Sequence, residues 1–417
     1  MDPYLIIGNG VAAVSAIEAI RRRDRDTPII VLTDQECVFY SRPSLYYILL
    51  GRIEFDDAWG RPDDFYRRNG VELRCSTMAT KLDPLAHTVE ADAGESLRYS
   101  KLLLATGTRG RVLPWAAQDL RGIVTLNTLA DVVSISQLLS TGKHAVIAGG
   151  GLTSIELVES CRRWGLATTF VMRADHFLDK QLTADEAELV HQRLRADGVD
   201  LRANEEIVSV TGRDGRVASA SLKSAGEEIA CDIAACTVGV VPNRELAQAV
   251  GAQTDQGIVV DHSMQATLPD VFAAGDVAQV RGADGTPARS EMLWYVAADM
   301  GRVAGANMAG ADEHYSRRAY LNVSEFCGLD FAGVGEITPG QPDVEETLIR
   351  GRDEAGSIRL VVRDGVLIGA CFLGDVRLAD IARGLIAAGV RPADLRSDHP
   401  IRALLDAASP STMPPVP

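Results

Sequence analysis

Two short runs in this 417-residue chain place small residues where a backbone has to come close to a phosphate. In the first, Gly8, Gly10 and Ala13 fit the pattern G-x-G-x-x-G/A; in the second, Gly149, Gly151 and Ser154 stand at the same spacing. Small residues there let the main chain approach a pyrophosphate at a helix N-terminus, where free N–H groups and the helix dipole favour an anion. Either match alone is weak, because glycines also close turns for structural reasons. An acid at the end of the next strand is expected to hold ribose hydroxyls, and Asp34 stands there after the first turn, with Glu36 as the alternative. After the second turn that acid is missing. TTFVM ends in Met172, and Arg173 follows, either to meet a 2′-phosphate or adenine or to form an exposed salt bridge.

These turns need strands before them and helices after them, and the chain provides both twice. YLIIGNGVAAVSAIEAI and HAVIAGGGLTSIELVES each read as apolar strand, glycine turn and helix, followed by the apolar runs TPIIVLTD and ATTFVMRAD. Two βαβ units are implied. Around them, KLLLATG ends a strand at Thr106 and Gly107, VGVVPN carries Gly239, and in TLPDVFAAGDVA a buried strand ends at Gly275. Asp276 then opens a helix as its N-cap, holds a ribityl hydroxyl or the phosphate environment, or does both.

The expected architecture is α/β: two Rossmann-like dinucleotide-binding domains, one for FAD and one for NAD(P), plus a small α+β C-terminal domain. Residues 1–115 and 243–311 are assigned to the first, 116–242 to the second and 312–400 to the third, with 401–417 a tail that ends in the frayed segment ASPSTMPPVP. In the C-terminal domain, RLVVRDGVLIGACFLGD predicts a hairpin turning at Asp364 and Gly365, and Leu378, Ile381, Ala382, Leu385 and Ile386 recur with helical spacing.

Composition narrows the class. A net charge of −15 argues against general binding to nucleic acid or anionic lipid, which needs a positive field. The basic run Arg21, Arg22, Arg23 and Arg25 reads as a solvated helix end. Seven scattered cysteines without a close pair speak against a disulfide framework or a zinc site. With neither a leader pattern nor a long apolar run, the chain is expected to be cytoplasmic and not to span a membrane.

Taken in order, the motifs resemble the FAD- and NAD(P)-dependent pyridine nucleotide-disulfide oxidoreductase superfamily. GNGVAA resembles its FAD fingerprint, LLLATGTRGRVLP its ATG segment, AGGGLTSIE its NAD fingerprint, TVGVVPN its G-x-x-P-N segment and TLPDVFAAGDVA its second FAD motif. YSRPSLYYILLG, with Tyr40, Arg42, Pro43 and Leu45, is similar to the branch of rubredoxin and ferredoxin reductases and the flavin part of the nitrite reductase large subunit; FVMRADHFLDKQLT resembles the nitrite reductase branch. The resemblance implies FAD and NAD(P)H as cofactors. NADH ranks first, because relatives with arginine in place of the ribose acid often use it. It also implies that Glu156 helps to place the nicotinamide, that Trp294 in LWYVAADMGRVAGANMAG lies near the flavin ring, and that the C-terminal domain supplies a homodimer interface.

The sequence also departs from the family pattern. No cysteine stands near Arg42 to Ser44, Cys37 falls outside the motif, Tyr47 matches the lysine that some ferredoxin reductases place beside the flavin, and Gln35 replaces a frequent acid. A disulfide-reducing function is therefore disfavoured.

Hydride transfer between stacked rings needs orientation more than side-chain acid or base, so no catalytic residue is assigned. Electrons then leave toward a small iron-sulfur protein, a rubredoxin or a partner subunit of nitrite-reductase type. An NADH oxidase or quinone reductase, with the Leu378 to Ile386 stripe touching lipid, is the first alternative; a flavin-binding sensor or assembly partner with slow turnover is the second.

Overall fold

The computed structural model describes residues 1–402, apart from 93, 225, 283, 284, 289, 351–355, 397 and 400. The ASPSTMPPVP tail lies outside the described residues. Contacts divide the chain into two units, one of residues 1–110 and 240–316 and the other of residues 111–239 and 317–417.

The first unit is built on a five-stranded parallel sheet in the order Val271–Ala273, Lys101–Leu104, Tyr4–Ile7, Ile29–Leu32, Val71–Arg74. Tyr4–Ile7 is buried on both faces, which is why it reads YLII rather than as an alternating strand. The helix Val11–Arg21 follows it and buries Ala12, Ala13, Ala16, Ile17 and Ile20. A second helix, Trp294–Met308, lies close against the first. A Cβ on Gly301 would fall 2.1 Å from the Ala12 carbonyl oxygen, and one on Gly305 would fall 2.3 Å from that of Ala16, so G-x-x-x-G spacing sets the approach of the two helices. The arginine run closes the first helix: Arg21 donates to the carbonyls of Asn69 and Gly70, and Arg23 pairs with Glu313 at 2.7 Å.

The second unit holds another five-stranded parallel sheet, ordered Val199–Arg202, Ala167–Val171, His144–Ala148, Ile233–Cys236, Ile123–Val124. It also holds the C-terminal antiparallel sheet, ordered Leu321–Phe326, Leu329–Gly335, Val366–Leu373, Ser357–Arg363, Glu345–Arg350. The hairpin expected at Asp364–Gly365 forms, with both residues at positive φ (51° and 75°). Helix Ala379–Ala387 covers this sheet. Ala382 is buried, Leu378, Leu385 and Ile386 pack against the core of Ala332, Leu360 and Phe372, and Ile381 stays 40% exposed. The apolar stripe is thus taken up by a protein core. No described helix is long and apolar enough to cross a membrane.

Candidate nucleotide sites

In the first unit the scattered motifs meet at one turn. Gly8 ends the strand Tyr4–Ile7 at φ +103°, and a Cβ there would lie 2.1 Å from the Ala105 carbonyl oxygen of LLLATG. Only glycine allows the fingerprint turn and the ATG segment to adjoin in this way. The segment continues through Thr106, whose hydroxyl donates to the Asn243 carbonyl at 2.7 Å, while Asn243 Nδ2 donates back to the Thr106 carbonyl at 2.9 Å. Thr108–Gly110 pairs antiparallel with Val240–Pro242, which closes this connection. Gly107 itself sits at φ +62° with open space where a Cβ would be.

Arg42 draws in two further motifs. It donates to Thr108 Oγ1 at 3.3 Å and to the Thr108 carbonyl at 3.1 Å, and it pairs with Asp276 at 3.6 Å. Pro43 caps the short helix Ser44–Leu49, which carries the half-exposed Tyr47. Gly275 lies with its would-be Cβ 3.1 Å from Ala12 Cβ, so the second FAD-type motif abuts the helix of the first. Burial raises the pKa of Asp276 above the usual carboxylate range, and Arg42 draws it back down.

Asp276 does not open a helix. It lies in a turn closed by Ala278 N–H on the Gly275 carbonyl, and the chain then enters strand Ala278–Val280, which pairs with Ile258–Val260. Pairing with a waiting strand captures a segment whose local sequence alone resembles a helix start. The helix of this region begins instead at Trp294, which is 45% exposed at its first position. Asp34 and Glu36 both lie exposed after strand Ile29–Leu32, next to Gln35, which accepts from Tyr40 at 2.8 Å.

Can this turn hold a dinucleotide? Helix Val11–Arg21 starts at Gly10 with no side-chain cap and no acid in its first turn, and no heavy atom would meet a Cβ on Gly10. Its leading N–H groups are therefore available to an anion. Asn9 adds a donor. Tyr66 Oη accepts from Phe39 N and donates to Asn9 Oδ1 at 2.7 Å, leaving the buried Asn9 Nδ2 with no hydrogen-bond partner. The donor set fits the phosphates of FAD. Sequence reasoning missed Asn9 and Tyr66, which are 57 residues apart.

The turn in the second unit uses different chemistry. A Cβ on Gly149, at φ +155°, would lie 2.1 Å from Ser154 Oγ and 2.5 Å from the Thr237 carbonyl oxygen. Ser154 is fully buried; its hydroxyl donates to the Thr237 carbonyl at 3.2 Å and accepts from Thr237 Oγ1 at 3.1 Å. A serine is tolerated at the third small position because Thr237 satisfies it. Helix Leu152–Arg163 begins at Gly151, again without an acid in its first turn, and Gly150 and Gly151 both have open space at the Cβ position. Gly239, at φ +99°, accepts from Arg111 N–H. Met172 is buried, whereas Arg173 is exposed immediately beyond it.

Glu156 is neither exposed nor on the first turn of helix Leu152–Arg163. It lies one turn further in and is half-buried, and desolvation, with the Glu159 carboxylate adding to it, pushes its pKa up to about 7. Glu159 in turn accepts from Cys327 N–H at 2.8 Å.

Comparisons with known proteins give the chain's family and fold. The family described as pyridine nucleotide-disulphide oxidoreductase matches residues 2–301. The chain is 30% identical over 398 residues to the ferredoxin–NAD(+) reductase component of the anthranilate 1,2-dioxygenase system of Burkholderia cepacia, covering 94% of this chain and 95% of that one. It is 30% identical over 278 residues to the rubredoxin-NAD(+) reductase of Pseudomonas putida, covering 66% of this chain and 72% of that one. In fold it is similar to a ferredoxin reductase from Rhodopseudomonas palustris, with a TM-score of 0.86 at 24% identity over 98% of this chain and 100% of that one.

Proposed function

Since the chain belongs to the pyridine nucleotide-disulphide oxidoreductase family, which binds FAD and uses NAD(P)H, we propose that it carries electrons from NADH, ahead of NADPH, through flavin to a separate acceptor protein. The acceptor is a small iron-sulfur protein, a rubredoxin or a partner subunit. The observation that carries this reading is the doubled glycine turn: two parallel sheets, each followed by a helix that begins at a glycine with no acid in its first turn, behind a glycine that admits no side chain.

In this reading the first unit holds FAD. Gly8, Gly10, Ala13 and Asn9 meet its phosphates, Asp34 or Glu36 its ribose, and Arg42, Pro43, Thr106, Gly107, Gly275, Asp276 and Trp294 line its remaining length. The second unit holds the nicotinamide nucleotide on Gly149, Gly151 and Ser154, with Gly239 nearby, Arg173 toward the adenosine end and Glu156 toward the nicotinamide. FAD, when bound, supplies the group that accepts a hydride and releases electrons singly. The protein's part is to hold the two nucleotides and keep water from them, so no side chain is assigned as acid or base. The half-buried Glu156, with a pKa near neutrality, is able to hold a proton at its carboxyl without a fixed charge. Cytoplasmic location and homodimerisation through the C-terminal domain belong to the same reading.

The test is acceptor reduction by the purified protein with NADH. Ferredoxin or rubredoxin should be reduced far faster than oxygen or a soluble quinone. NADH consumption in air without a partner would favour an oxidase, and turnover near background with a change of oligomer size would favour a sensor. A lipid-facing quinone reductase gains no support from the apolar stripe, which the C-terminal core has taken up.

A further inference from the structure

Arg359 stands on strand Ser357–Arg363 of the C-terminal sheet, and its side chain is only 1% exposed, an unusual position for a guanidinium. It lies on the nucleotide-binding part of its own unit. Nε donates to both carboxylate oxygens of Glu186 at 3.1 and 3.0 Å, and Nη2 donates to the Gln181 carbonyl at 2.7 Å and the Ile337 carbonyl at 3.0 Å. Nη1 reaches Glu346 at 3.4 Å. Glu186 also accepts from Thr183 N–H at 2.8 Å, which fixes the start of helix Ala184–Ala196.

From Gln181 the contacts lead to the glycine turn. Gln181 N–H donates to the Leu178 carbonyl at 2.7 Å, and Leu178 N–H donates to the Gly150 carbonyl at 2.9 Å. Leu178 holds a φ of +51°, a conformation costly for leucine that persists only where its surroundings impose it. A second link runs beside the first. Phe170 on strand Ala167–Val171, Phe177, Phe326 and Phe331 form a continuous row of rings at centroid distances of 6.4, 5.2 and 5.2 Å, joining the parallel sheet to the C-terminal sheet. The backbone of Phe177 is held by His191, whose Nε2 accepts from its N–H at 3.2 Å.

We propose that Arg359 is a positioning residue for the nicotinamide nucleotide, holding residues 173–183 so that Leu178 keeps the Gly149–Gly151 turn in its binding conformation. The C-terminal sheet is then part of the nucleotide site's support. This inference rests on the reading that the Gly149–Gly151 turn binds NAD(P)H. A lysine at 359 can offer charge but not the planar fork that serves Glu186 and Gln181 together.

Its test compares wild-type holoprotein with R359K, R359M and R359M/E186Q. Measured are the Kd for NAD+, KM and kcat for NADH, flavin content and Tm. All three variants should bind NAD+ about tenfold more weakly, with KM for NADH raised in step and kcat and flavin content unchanged. R359M leaves Glu186 buried and unpaired and should lose Tm; E186Q in the double variant removes that charge and should restore Tm without restoring affinity. Affinity that recovers together with Tm, or wild-type affinity in R359K or the double variant, overturns the proposal. Should R359M fail to fold, R359K and the double variant still decide between these outcomes. A flavin-loaded wild type that binds neither NAD+ nor NADH overturns the underlying reading and this inference with it, a result distinguishable from any difference among the variants.

Discussion

The two glycine-rich turns share a backbone plan and differ in what holds them. At the first, Gly8 faces the carbonyl of Ala105, and the helix behind it is pressed by Gly301 and Gly305 of another helix, an apolar, steric arrangement. At the second, Gly149 faces a hydroxyl, and Ser154 and Thr237 close the turn with hydrogen bonds. Beyond the strands the contrast continues: exposed carboxylates Asp34 and Glu36 follow the first, while buried Met172 and exposed Arg173 follow the second. Each turn therefore needs a glycine where backbone meets backbone, the Ala105 carbonyl at Gly8 and the Thr237 carbonyl at Gly149. The third small position can be apolar or polar, provided that a polar side chain has a partner.

That contrast can be broken at its strictest point. Gly8→Val places carbon atoms against a backbone oxygen that has nowhere to go and also forces a positive φ on a β-branched residue, at a cost of about 3 kcal/mol or more. The variant should purify without flavin and with a much lower Tm. Normal flavin content would contradict the placement of the first turn.

Ser154 sharpens the other side of the contrast. Ser154→Val removes the hydroxyl's hydrogen bonds with Thr237 and Gly151 and leaves the Thr237 carbonyl short of a donor, for a loss of about 1–3 kcal/mol in denaturant unfolding. Ser154→Gly should cost less, because it removes the hydroxyl without adding bulk near Gly149.

Glu156 gives a pH signature. Its carboxyl titrates at about 7 in the folded chain against 4.5 as the ordinary value, so the folded state favours the neutral acid. The stability this confers is complete below pH 4.5 and is lost as pH rises through about 7. Glu156→Gln should therefore match the wild-type unfolding free energy at the acid end and exceed it above neutrality by on the order of 2 kcal/mol, read from denaturant unfolding across pH. A pH-independent difference would contradict the desolvation of this carboxyl.

The smallest effect is expected at Arg173, exposed beyond the second strand. Arg173→Ala should change kcat/KM for NADPH more than for NADH, by about 1 kcal/mol or less in the latter. An equal loss for both nucleotides would place this arginine over the adenine and not at the 2′-phosphate, and no loss for either would remove it from the adenosine end.

How much of this was legible in the sequence follows from distance along the chain. The glycine turns, the strands before them and the Asp364–Gly365 hairpin were readable, because each is fixed by neighbours a few residues away. Asp276 was misplaced at a helix start, since pairing of Ala278–Val280 with Ile258–Val260 overrides local preference. The ion pair of Arg359 with Glu186 joins residues 173 positions apart, and no local pattern announces it. The near-neutral pKa of Glu156 is a property of burial, which spacing on a helix does not reveal. Gly301 and Gly305 carried a readable signal in their G-x-x-x-G spacing, though its meaning depended on finding Ala12 and Ala16 opposite.

The central claim, that the two turns hold FAD and a nicotinamide nucleotide which exchange a hydride, is tested most directly without oxygen. Purified protein is mixed with NADH, and separately with NADPH, in a stopped-flow instrument while the flavin absorbance band is followed. Rapid bleaching with NADH, and slower bleaching with NADPH, is the predicted result. Protein that carries no FAD, or flavin that neither nucleotide bleaches, would contradict the account.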